Sequence, residues 1–484
     1  MDVVAVPTRD RPELLARCVS RLAEVRASHG RSFRVVVADD SADPSTRERA
    51  RLALTEIARR RGVPIAYADA ARKAAFVEEL LSLAPDLDAE VVRVALLGME
   101  GLGTRAGANR NALLLETVGE RLLSVDDDMV LELAPSPDLR PGLRFQRGSV
   151  PLELWTFASR EEALEPGRFD RGDPLAAADA LLGADLSDLV PVEGDASIGP
   201  APPSAVGEEP AHVAAVCYGT VGHAGFGSIA PFLLQRGASR ERLAPSYASA
   251  LASWTVLRAT DMTTVTDAPF LMGGGVALDH RRPLPPFHPV GRNQDGLFAA
   301  TMRSCLPAGF IAHLPWAMKH APPATAHERD PARRATFRIC DLLVILALAC
   351  RHTSPGGEAR LVHLGGRLQK LAASPRAERD AVLRKLVASH ASATLAALRE
   401  LLAAHAEPRA WADDCRVFVA SLEGWVNART IVPSDLAHVE GEAAAELLAE
   451  HLERFGRLLV TWPRIRAAAA QARTLGHTLA EPLG

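Results

Sequence analysis

The stretch Leu122-Leu123-Ser124-Val125-Asp126-Asp127-Asp128 joins a short apolar run to three consecutive carboxylates. The apolar run predicts a buried strand, so the acids stand where a strand meets a loop. Adjacent carboxylates repel one another unless water or a cation offsets their charge, and hard divalent cations prefer oxygen ligands. The stretch therefore predicts either a divalent-cation site or a solvated acidic turn.

Upstream of this stretch, apolar runs alternate with helical patterns. Such an alternation predicts a doubly wound, Rossmann-like parallel sheet, and ligands of open α/β sheets bind at the carboxyl ends of the strands. The second strand also ends in acids, Asp39 and Asp40, so the polar strand ends are expected to share one edge. The runs that we interpret as strands before residue 122 are Val3 to Val6, Phe33 to Ala38, Val63 to Tyr67 and Val91 to Leu97.

Several ordered motifs resemble those of the GT-A glycosyltransferases, in particular the large family-2-like group of inverting enzymes that use nucleotide sugars. Val4 to Arg11 (VAVPTRDR) is similar to the opening strand and Pro-Thr turn of that group, and Val36 to Ser41 (VVADDS) is similar to its second strand. Gly107 to Ala112 (GANRNA), followed by Gly119-Glu120-Arg121 and the acid triplet, resembles the helix and strand that lead to its Asp-x-Asp signature.

The resemblance implies a GT-A fold and a Mn²⁺ or Mg²⁺ ion held by the donor's diphosphate. Asp128, the last acid of the signature, would bind that ion, and Asp126 would face the ribose or the edge of the nucleotide. Thr8 and Asp39 would contact the base, and Arg110 would lie near the nucleotide. The full implied nucleotide-sugar-binding set is Pro7, Thr8, Arg9, Asp39, Arg110, Asp126 and Asp127.

A second, glycine-rich motif competes with this interpretation. Gly101 to Gly107 (GLGTRAG) follows a predicted strand and opens a helix, as a dinucleotide-binding loop does. Its spacing differs by one residue from the usual fingerprint, and it falls in the fourth unit of the sheet. Glycines that serve only a tight turn before Arg105 are the other interpretation.

The general base is expected in the second half of the fold. Gly291 to Gly296 (GRNQDG) precedes a helical pattern and resembles the Glu-Asp stretch that carries the base in this group, although Gln294 replaces the usual Glu. An inverting transfer needs a carboxylate that deprotonates the acceptor hydroxyl, and Asp295 is the candidate. A helix N-cap is the alternative role for Asp295. Upstream, Phe270 to Asp279 is interpreted as a strand whose three glycines mark a close approach to a ligand or a bulge.

A histidine is expected to complete the metal site. Phe310 to His320 resembles the late strand and Pro-x-Ala segment that ends in a ligand histidine in metal-dependent members. His320 matches best, although the spacing is one residue short, so His313 and His327 stay open. A structural, hydrogen-bonded role is the alternative for a lone histidine.

Two regions depart from a minimal GT-A domain. Residues 131–212 form an insertion whose proline-rich ends are expected to be irregular, with a lid, an acceptor-binding role or no task at all. Tyr218 to Gly227 follows it and is interpreted as a glycine-rich turn or as part of the acceptor pocket around His223. The GT-A-like domain is expected to span residues 1–335.

Residues 336–484 have apolar positions every three or four residues and predict a helical region. Leu342 to Cys350 is too short to span a bilayer and is flanked by charges, so a buried helix is expected and a membrane span is not. The remaining helices are expected at about 356–373, 376–389, 391–405, 408–425, 434–455 and 457–474. This region could bind the acceptor, form a homo-oligomer interface or support the catalytic domain.

Composition excludes some partners and favours one compartment. The 484 residues carry a net charge of −4, with a pI near 6.4, so nucleic acid is not an expected partner. Six scattered cysteines without a C-x-x-C pair indicate reduced thiols in a cytoplasmic protein. The chain enters a strand directly, so no signal peptide is expected.

The sequence thus predicts a metal-dependent inverting glycosyltransferase with a nucleotide-sugar donor. UDP is the commonest nucleotide of the resembled group, and the acceptor could be a small molecule, a peptide or a glycan. The alternative is a GT-A-like scaffold that has lost catalysis and binds a nucleotide sugar or a partner protein. The altered Gln294-Asp295 stretch and the irregular spacing of His320 are the features that support this alternative.

Overall fold

The structure is a computed structural model that describes residues 1–99, 105–194, 210–323, 333–350 and 356–483. It is an α/β protein with a mixed sheet and a helical C-terminal region. The strands are β1 (Val3–Thr8), β2 (Arg34–Asp39), β3 (Ile65–Ala68), β4 (Arg121–Val125), β5 (Met129–Pro135), β6 (Leu143–Gln146), β7 (Glu153–Thr156), β8 (Glu193–Gly194), β9 (His212–His223), β10 (Thr255–Ala259), β11 (Thr263–Thr266), β12 (Gly275–Asp279), β13 (Gly309–His320) and β14 (Glu481–Leu483).

Helices of the sheet-forming part connect these strands. They are α1 (Pro12–Ser28), α2 (Pro44–Arg61), α3 (Ala70–Leu83), α4 (Ala89–Leu97), α5 (Ala106–Glu116), α6 (Arg160–Ala163), α7 (Ala176–Leu181), α8 (Ala230–Leu233), α9 (Gly237–Leu243), α10 (Tyr247–Ser253) and α11 (Gln294–Cys305). The C-terminal helices are α12 (Ile339–Ala349), α13 (Gly357–Ala373), α14 (Arg376–Ala404), α15 (Arg409–Val426) and α16 (Gly441–Thr474).

The N-terminal part of the sheet is parallel, as the alternating pattern predicts. Strands β3, β2, β1 and β4 lie side by side in that order, and all three pairings are parallel. Alternate residues of β1 face opposite sides, with Val4 and Val6 in one apolar cluster and Val3 and Ala5 in another. Helices α1 and α2 cover the first side, and α3 to α5 cover the second. The doubly wound arrangement places the carboxyl ends of these strands at one edge.

The strand predicted at Val91 to Leu97 is wrong, because this segment is helix α4. The side chain of Asp88 caps the helix by accepting hydrogen bonds from the backbone N–H groups of Glu90 and Val91. The buried side chains are Val91, Val92, Ala95 and Leu96, which share one helical face. A short apolar run does not distinguish a strand from a buried helix, and the Asp88 cap is a local feature that favours the helix.

The second part of the sheet mixes both directions. Strand β12 is antiparallel to β4 and to β9, and β9 is parallel to β13. The predicted strand at Phe270 to Asp279 is shorter than expected, since pairing begins only at Gly275. The glycine-rich turn predicted at Tyr218 to Gly227 is wrong for most of its length, because β9 continues to His223.

The described part of the insertion at residues 131–212 contributes strands to the sheet. Strand β5 pairs with β13, β6 with β11 and β7 with β10, so the expectation of an irregular first end is wrong. The partner strands are distant in sequence, so the local proline content could not predict these pairings. Residues 195–209, at the other end, lie outside the described residues.

The C-terminal region is helical, with fewer and longer helices than predicted. Helix α14 runs through the predicted break near residue 390, and α16 runs from Gly441 to Thr474 with Pro463 inside it. The predicted buried helix at Leu342 to Cys350 is confirmed as α12. Strand β14, which the sequence pattern missed, returns to the sheet and pairs with β3. In the described part of the chain, every helix is too short or too polar to cross a bilayer.

Candidate functional site

Polar strand ends meet at the carboxyl edge of the parallel strands. The hydroxyl of Thr8, the last residue of β1, donates a 2.7 Å hydrogen bond to Asp127 Oδ2 just beyond β4. Asn109 on α5 joins the two neighbouring strands, since its Nδ2 donates to the carbonyls of Thr8 (3.1 Å) and Ala38 (2.8 Å). The shared edge expected from the sequence is therefore present.

A cavity of about 990 Å³ opens at this edge. Its walls come from three parts of the chain: the parallel strand ends, the β9 and β12 to α11 segments, and the C-terminal helices α12, α14 and α15. Seven of the nine nucleotide-binding and metal-binding residues expected from the sequence lie on the first wall, namely Pro7, Thr8, Arg9, Arg110, Asp126, Asp127 and Asp128. Asp295 and His320 line the same cavity.

Asp126 has one arginine as its hydrogen-bond partner, and Asp127 and Asp128 share another. Asp126 Oδ1 accepts a 2.8 Å hydrogen bond from Arg110 Nη2, whereas Arg11 Nη1 donates to Asp127 Oδ1 (3.2 Å) and to Asp128 Oδ2 (2.9 Å). Asp127 and Asp128 are buried. The solvated-turn interpretation of the triplet is therefore wrong for these two residues.

Asp128 and His320 form a pair across the cavity wall. The Nε2 atom of His320, the last residue of β13, lies 3.5 Å from Asp128 Oδ1. Its other ring nitrogen, Nδ1, lies 2.7 Å from the carbonyl oxygen of His223 at the end of β9. A backbone carbonyl on Nδ1 fixes the ring orientation and directs Nε2 toward Asp128, as is typical of metal-ligating histidines.

The acids of the triplet differ in protonation because their surroundings differ. Burial and then the neighbouring Asp128 raise the pKa of Asp127 to about 7. Burial also opposes ionisation of Asp128, but the His320 imidazole and the Arg11 guanidinium outweigh it and hold the pKa of Asp128 at about 2. Burial alone would lower the pKa of His320, and the Asp128 carboxylate raises it instead. Asp128 is thus ionised at neutral pH, whereas the raised pKa of Asp127 favours its protonated form more than in a free aspartate.

The protein residues at this site supply only part of the ligand set of a metal ion. No group of three or more His, Cys, Asp or Glu side chains that could hold a metal ion occurs among the described residues. Asp128 and His320 supply one carboxylate oxygen and one imidazole nitrogen. Mg²⁺ commonly binds through one or two protein carboxylates plus substrate phosphates and water. The pair therefore suits an ion that arrives with a diphosphate, and not an ion enclosed by protein.

Asp295 lies in the first turn of α11 and lines the same cavity as the acid triplet. Its Oδ2 accepts a hydrogen bond of 3.2 Å from the backbone N–H of Gly273. The N-cap interpretation of Asp295 is wrong, since Asn293 holds that position with a left-handed backbone (φ 70°). Asn293 in turn donates to Asp341 Oδ1 on α12 at 2.6 Å, which ties this loop to the helical region.

Asp39 does not face the cavity. It is fully buried, and its carboxylate accepts hydrogen bonds from the Tyr67 hydroxyl (2.6 Å) and the Ser41 backbone N–H (2.7 Å). Asp40 lines the cavity and forms an ion pair with the buried Lys73. Asp40, and not Asp39, therefore presents a carboxylate to the cavity.

The alternative histidines lie elsewhere. His313 is buried in β13 and stacks on Phe270 with ring centroids 5.8 Å apart, and burial lowers its pKa to about 3. His327 lies outside the described residues, as do residues 101–104 of the competing glycine motif. Gly107 of that motif packs against backbone, because an added Cβ would fall 1.7 Å from the carbonyl oxygen of His288.

Sequence analysis missed several cavity residues. Arg11 stands two positions after Arg9 in the quoted Pro-Thr motif, so its signal was present, but the motif gave no reason to prefer it. Arg258 and the helical-wall residues Phe337, His390 and Phe418 had no local signal, because strand pairing and helix packing bring them to the cavity. No protein-family model matches the chain, and a search of curated proteins also found no match.

Proposed function

We propose that the chain is a metal-assisted, inverting glycosyltransferase of the GT-A type that takes a nucleotide-sugar donor. One observation carries the proposal: the Asp128–His320 pair and the Asp295 carboxylate line the same cavity at the carboxyl edge of a parallel sheet. The proposed reaction requires a pair of metal ligands and a separate carboxylate that acts as the general base.

The donor is proposed to lie along the strand ends, with its diphosphate beside Asp128. Arg11 and Arg110 bring guanidinium groups to this wall, where they hold the acids in place and balance part of the charge. A divalent ion held by Asp128, His320 and the diphosphate, when bound, would stabilise the negative charge of the leaving group. UDP is the nucleotide we propose, from the resemblance of the strand-end motifs.

Asp295 is proposed to accept the proton of the acceptor hydroxyl. The hydroxyl oxygen then forms a bond to the anomeric carbon while the bond from that carbon to the diphosphate oxygen breaks, which inverts the configuration. The Gly273 N–H hydrogen bond orients the carboxylate and leaves its Oδ1 atom available for the acceptor. Asp295 belongs to a helix, so the rigid α11 backbone positions it.

Release of nucleoside diphosphate from a panel of UDP-, GDP- and TDP-linked hexoses, with Mn²⁺ present, tests the proposal. We expect one donor class to be turned over, and Asp295→Asn to slow turnover by roughly 10²- to 10⁴-fold, the usual contribution of a general base. Asp86→Asn, a change at an exposed acid that pairs with Arg464, is the control. Binding of a donor without turnover would favour the inactive scaffold, and undiminished turnover by the Asp295→Asn variant would remove Asp295 as the base.

A further inference from the structure

Arg258 brings a positive charge into the cavity, and the part of the chain that the structure describes supplies no carboxylate that pairs with it. It lies on β10 and lines the cavity, with its guanidinium carbon 5.2 Å from the ring centroid of Phe226 and 5.0 Å from that of Phe270. Arg11 and Arg110 on the other wall both form ion pairs with acids of the triplet. Within the described ranges, Arg258 has no carboxylate at ion-pair distance.

The surroundings of Arg258 disfavour its charge. Burial lowers its pKa to about 10, and no neighbouring acid offsets that effect. His313, which stacks on Phe270, is neutral because burial and then the Arg258 charge lower its pKa to about 3. Aromatic faces compensate a partly desolvated cation only in part. A half-buried guanidinium with no carboxylate partner among the described residues is therefore a site where an anion gains affinity.

A second guanidinium lies close to the same loop. Arg338, at the N-terminus of α12, lines the cavity, and its Nη2 would lie 2.8 Å from a Cβ added at Gly227. Gly227 follows Phe226 directly, so the two arginines flank one short segment. Phe226 itself is held in place by edge contacts with Phe232 and Trp254 at centroid distances of 5.6 and 6.1 Å.

The part of the cavity wall that the helical region forms combines apolar side chains with the polar Thr336, Asp341, His390 and Thr394. The helical region and the α8 segment contribute Pro231, Leu234, Phe337, Val344, Phe418 and Leu422. A ligand that fits this part of the cavity needs an anionic group for Arg258 and an apolar body for the helical wall.

The segment from Phe270 to Gly273 connects the surroundings of Arg258 with Asp295. Phe270, the ring partner of Arg258, is three residues before Gly273, whose N–H bonds Asp295. Three residues span at most ~10 Å even when fully extended. The ring partner of Arg258 and the hydrogen-bond donor to Asp295 therefore belong to one short segment of the cavity lining.

We propose that this part of the cavity is the acceptor subsite and that it takes a small amphipathic hydroxy acid, whose carboxylate or phosphate binds Arg258 and whose hydroxyl faces Asp295. The anion-binding part stands on the Arg258 geometry alone. The role of the bound molecule as sugar acceptor rests on the proposed function.

Calorimetric titration of the full chain, without nucleotide or metal, tests the subsite. The probes are 4-hydroxybenzoate, phenyl phosphate and the neutral analogue 4-hydroxybenzamide. We expect at least one anion to bind roughly ten-fold or more tightly than the amide, as charge-assisted hydrogen bonds imply. The two anions distinguish a carboxylate site from a phosphate site.

Two variants separate a binding role from a structural one. Arg258→Met should bring the anion-to-amide affinity ratio close to one, whereas Arg168→Met should leave the ratio unchanged. Arg168 is a matched control because its guanidinium lies 4.6 Å from the Phe157 ring but outside this cavity. The thermal midpoint of the ligand-free Arg258→Met variant should equal or exceed that of the wild type, since an uncompensated charge is removed.

The proposal is overturned if neither anion binds, if the amide binds as tightly as the anions, or if the Arg258→Met variant retains the wild-type ratio. A lower thermal midpoint of that variant, with the ratio unchanged, assigns Arg258 a structural role. Because donor binding is measured separately with nucleotides, a failure of the proposed glycosyltransferase activity would not change these titrations.

Discussion

His320 Nε2 lies 3.5 Å from Asp128 Oδ1, although the two residues come from opposite halves of the sheet-forming chain. Strand β13 pairs antiparallel with β5, and the register places His320 opposite Met129, directly after Asp128. The backbone N–H of Ala321 also donates to the carbonyl of Asp128 at 2.9 Å. The β5–β13 pairing is therefore the structural reason that the acid and the imidazole meet.

His320→Gln should weaken Mn²⁺ binding in the presence of UDP by at least about ten-fold, the lower end of the effect seen when groups supporting a metal ligand are lost. Titration of Mn²⁺ into the UDP-saturated protein measures this. His363→Gln, on helix α13, is the control because His363 lies outside the cavity. Equal Mn²⁺ affinities of the His320→Gln variant and the wild type would exclude His320 as a ligand.

Gly273→Ala should slow turnover through Asp295 without changing nucleotide affinity. An added Cβ at Gly273 would fall 2.8 Å from Asp295 Oδ2 and 3.1 Å from its Cβ, so the carboxylate must move. Displacement of a catalytic group by about 1 Å is enough to lower the rate by roughly 10²-fold. Steady-state measurement of kcat and of KM for the donor tests this, because kcat should fall while the affinity for the nucleotide stays the same.

The adjacent Gly274→Ala variant is the matched control. Its Cβ would meet the flexible end of Met129, with Sδ at 3.1 Å, which can give way. A loss of turnover in the Gly274→Ala variant as large as that in the Gly273→Ala variant would contradict a specific effect on Asp295.

Two neighbouring glycines of α13 should respond to alanine in opposite directions. A Cβ at Gly365 would fall 2.5 Å from the carbonyl oxygen of Gly456 on α16, so Gly365→Ala should destabilise the fold by about 1–3 kcal/mol. A Cβ at Gly366 would meet nothing within 4 Å, so Gly366→Ala should stabilise the helix by about 0.5–1 kcal/mol. Thermal unfolding midpoints test both signs, and a stabilising Gly365→Ala would disprove the close α13–α16 approach.

The contact between α16 and the α11 segment should weaken in acid. His288 and His451 are buried with ring centroids 5.8 Å apart, and burial lowers the pKa of His288 to about 4 and that of His451 to about 3. Unfolding exposes both rings to a pKa near 6.5, so the unfolded state binds more protons below that pH. Stability is therefore fully present above about pH 6.5 and decreases as the pH falls toward about 4.

His451→Leu removes one of these groups and should reduce the acid loss. At pH 4.5 the expected difference is on the order of 2 kcal/mol, since each unit of pKa shift corresponds to about 1.4 kcal/mol. Unfolding free energies at about pH 7.5 and about pH 4.5 measure it. The same acid loss in the wild type and the His451→Leu variant would show that His451 does not titrate on unfolding.

Local patterns predicted the parts of the fold that are local in origin. The buried strands of the parallel sheet, the position of Asp126 to Asp128 after β4, and the helical C-terminal region followed from apolar periodicity and order. The cap at Asp88 turned a predicted strand into α4, which a short apolar run could not reveal. Helices α14 and α16 merged predicted pairs of helices because tertiary packing overrides weak breaks.

The parts that the sequence did not predict depend on pairing between distant segments. Residues 131–212 were expected to be an insertion, and the strands β5, β6 and β7 in its described part join the sheet through β13, β11 and β10. The unpaired charge of Arg258 follows from the packing of Phe226 and Phe270 around it, and no spacing rule reports such a contact. Asp39 was predicted from the resemblance of its strand, but its carboxylate bonds Tyr67 and Ser41 while Asp40 lines the cavity. Which of two adjacent acids faces a cavity depends on tertiary contacts that the local sequence does not contain.

The central claim is that the cavity binds a nucleoside diphosphate together with a divalent ion at Asp128. Calorimetric titration of UDP, GDP, TDP, CMP and NAD, each with and without Mn²⁺, tests it in the wild type and in Asp128→Asn. We expect that one nucleoside diphosphate, UDP first among them, binds more tightly with Mn²⁺ and that the Asp128→Asn variant loses this gain. Absence of binding by every nucleoside diphosphate, binding of NAD alone, or an unchanged Mn²⁺ gain in the variant would contradict it.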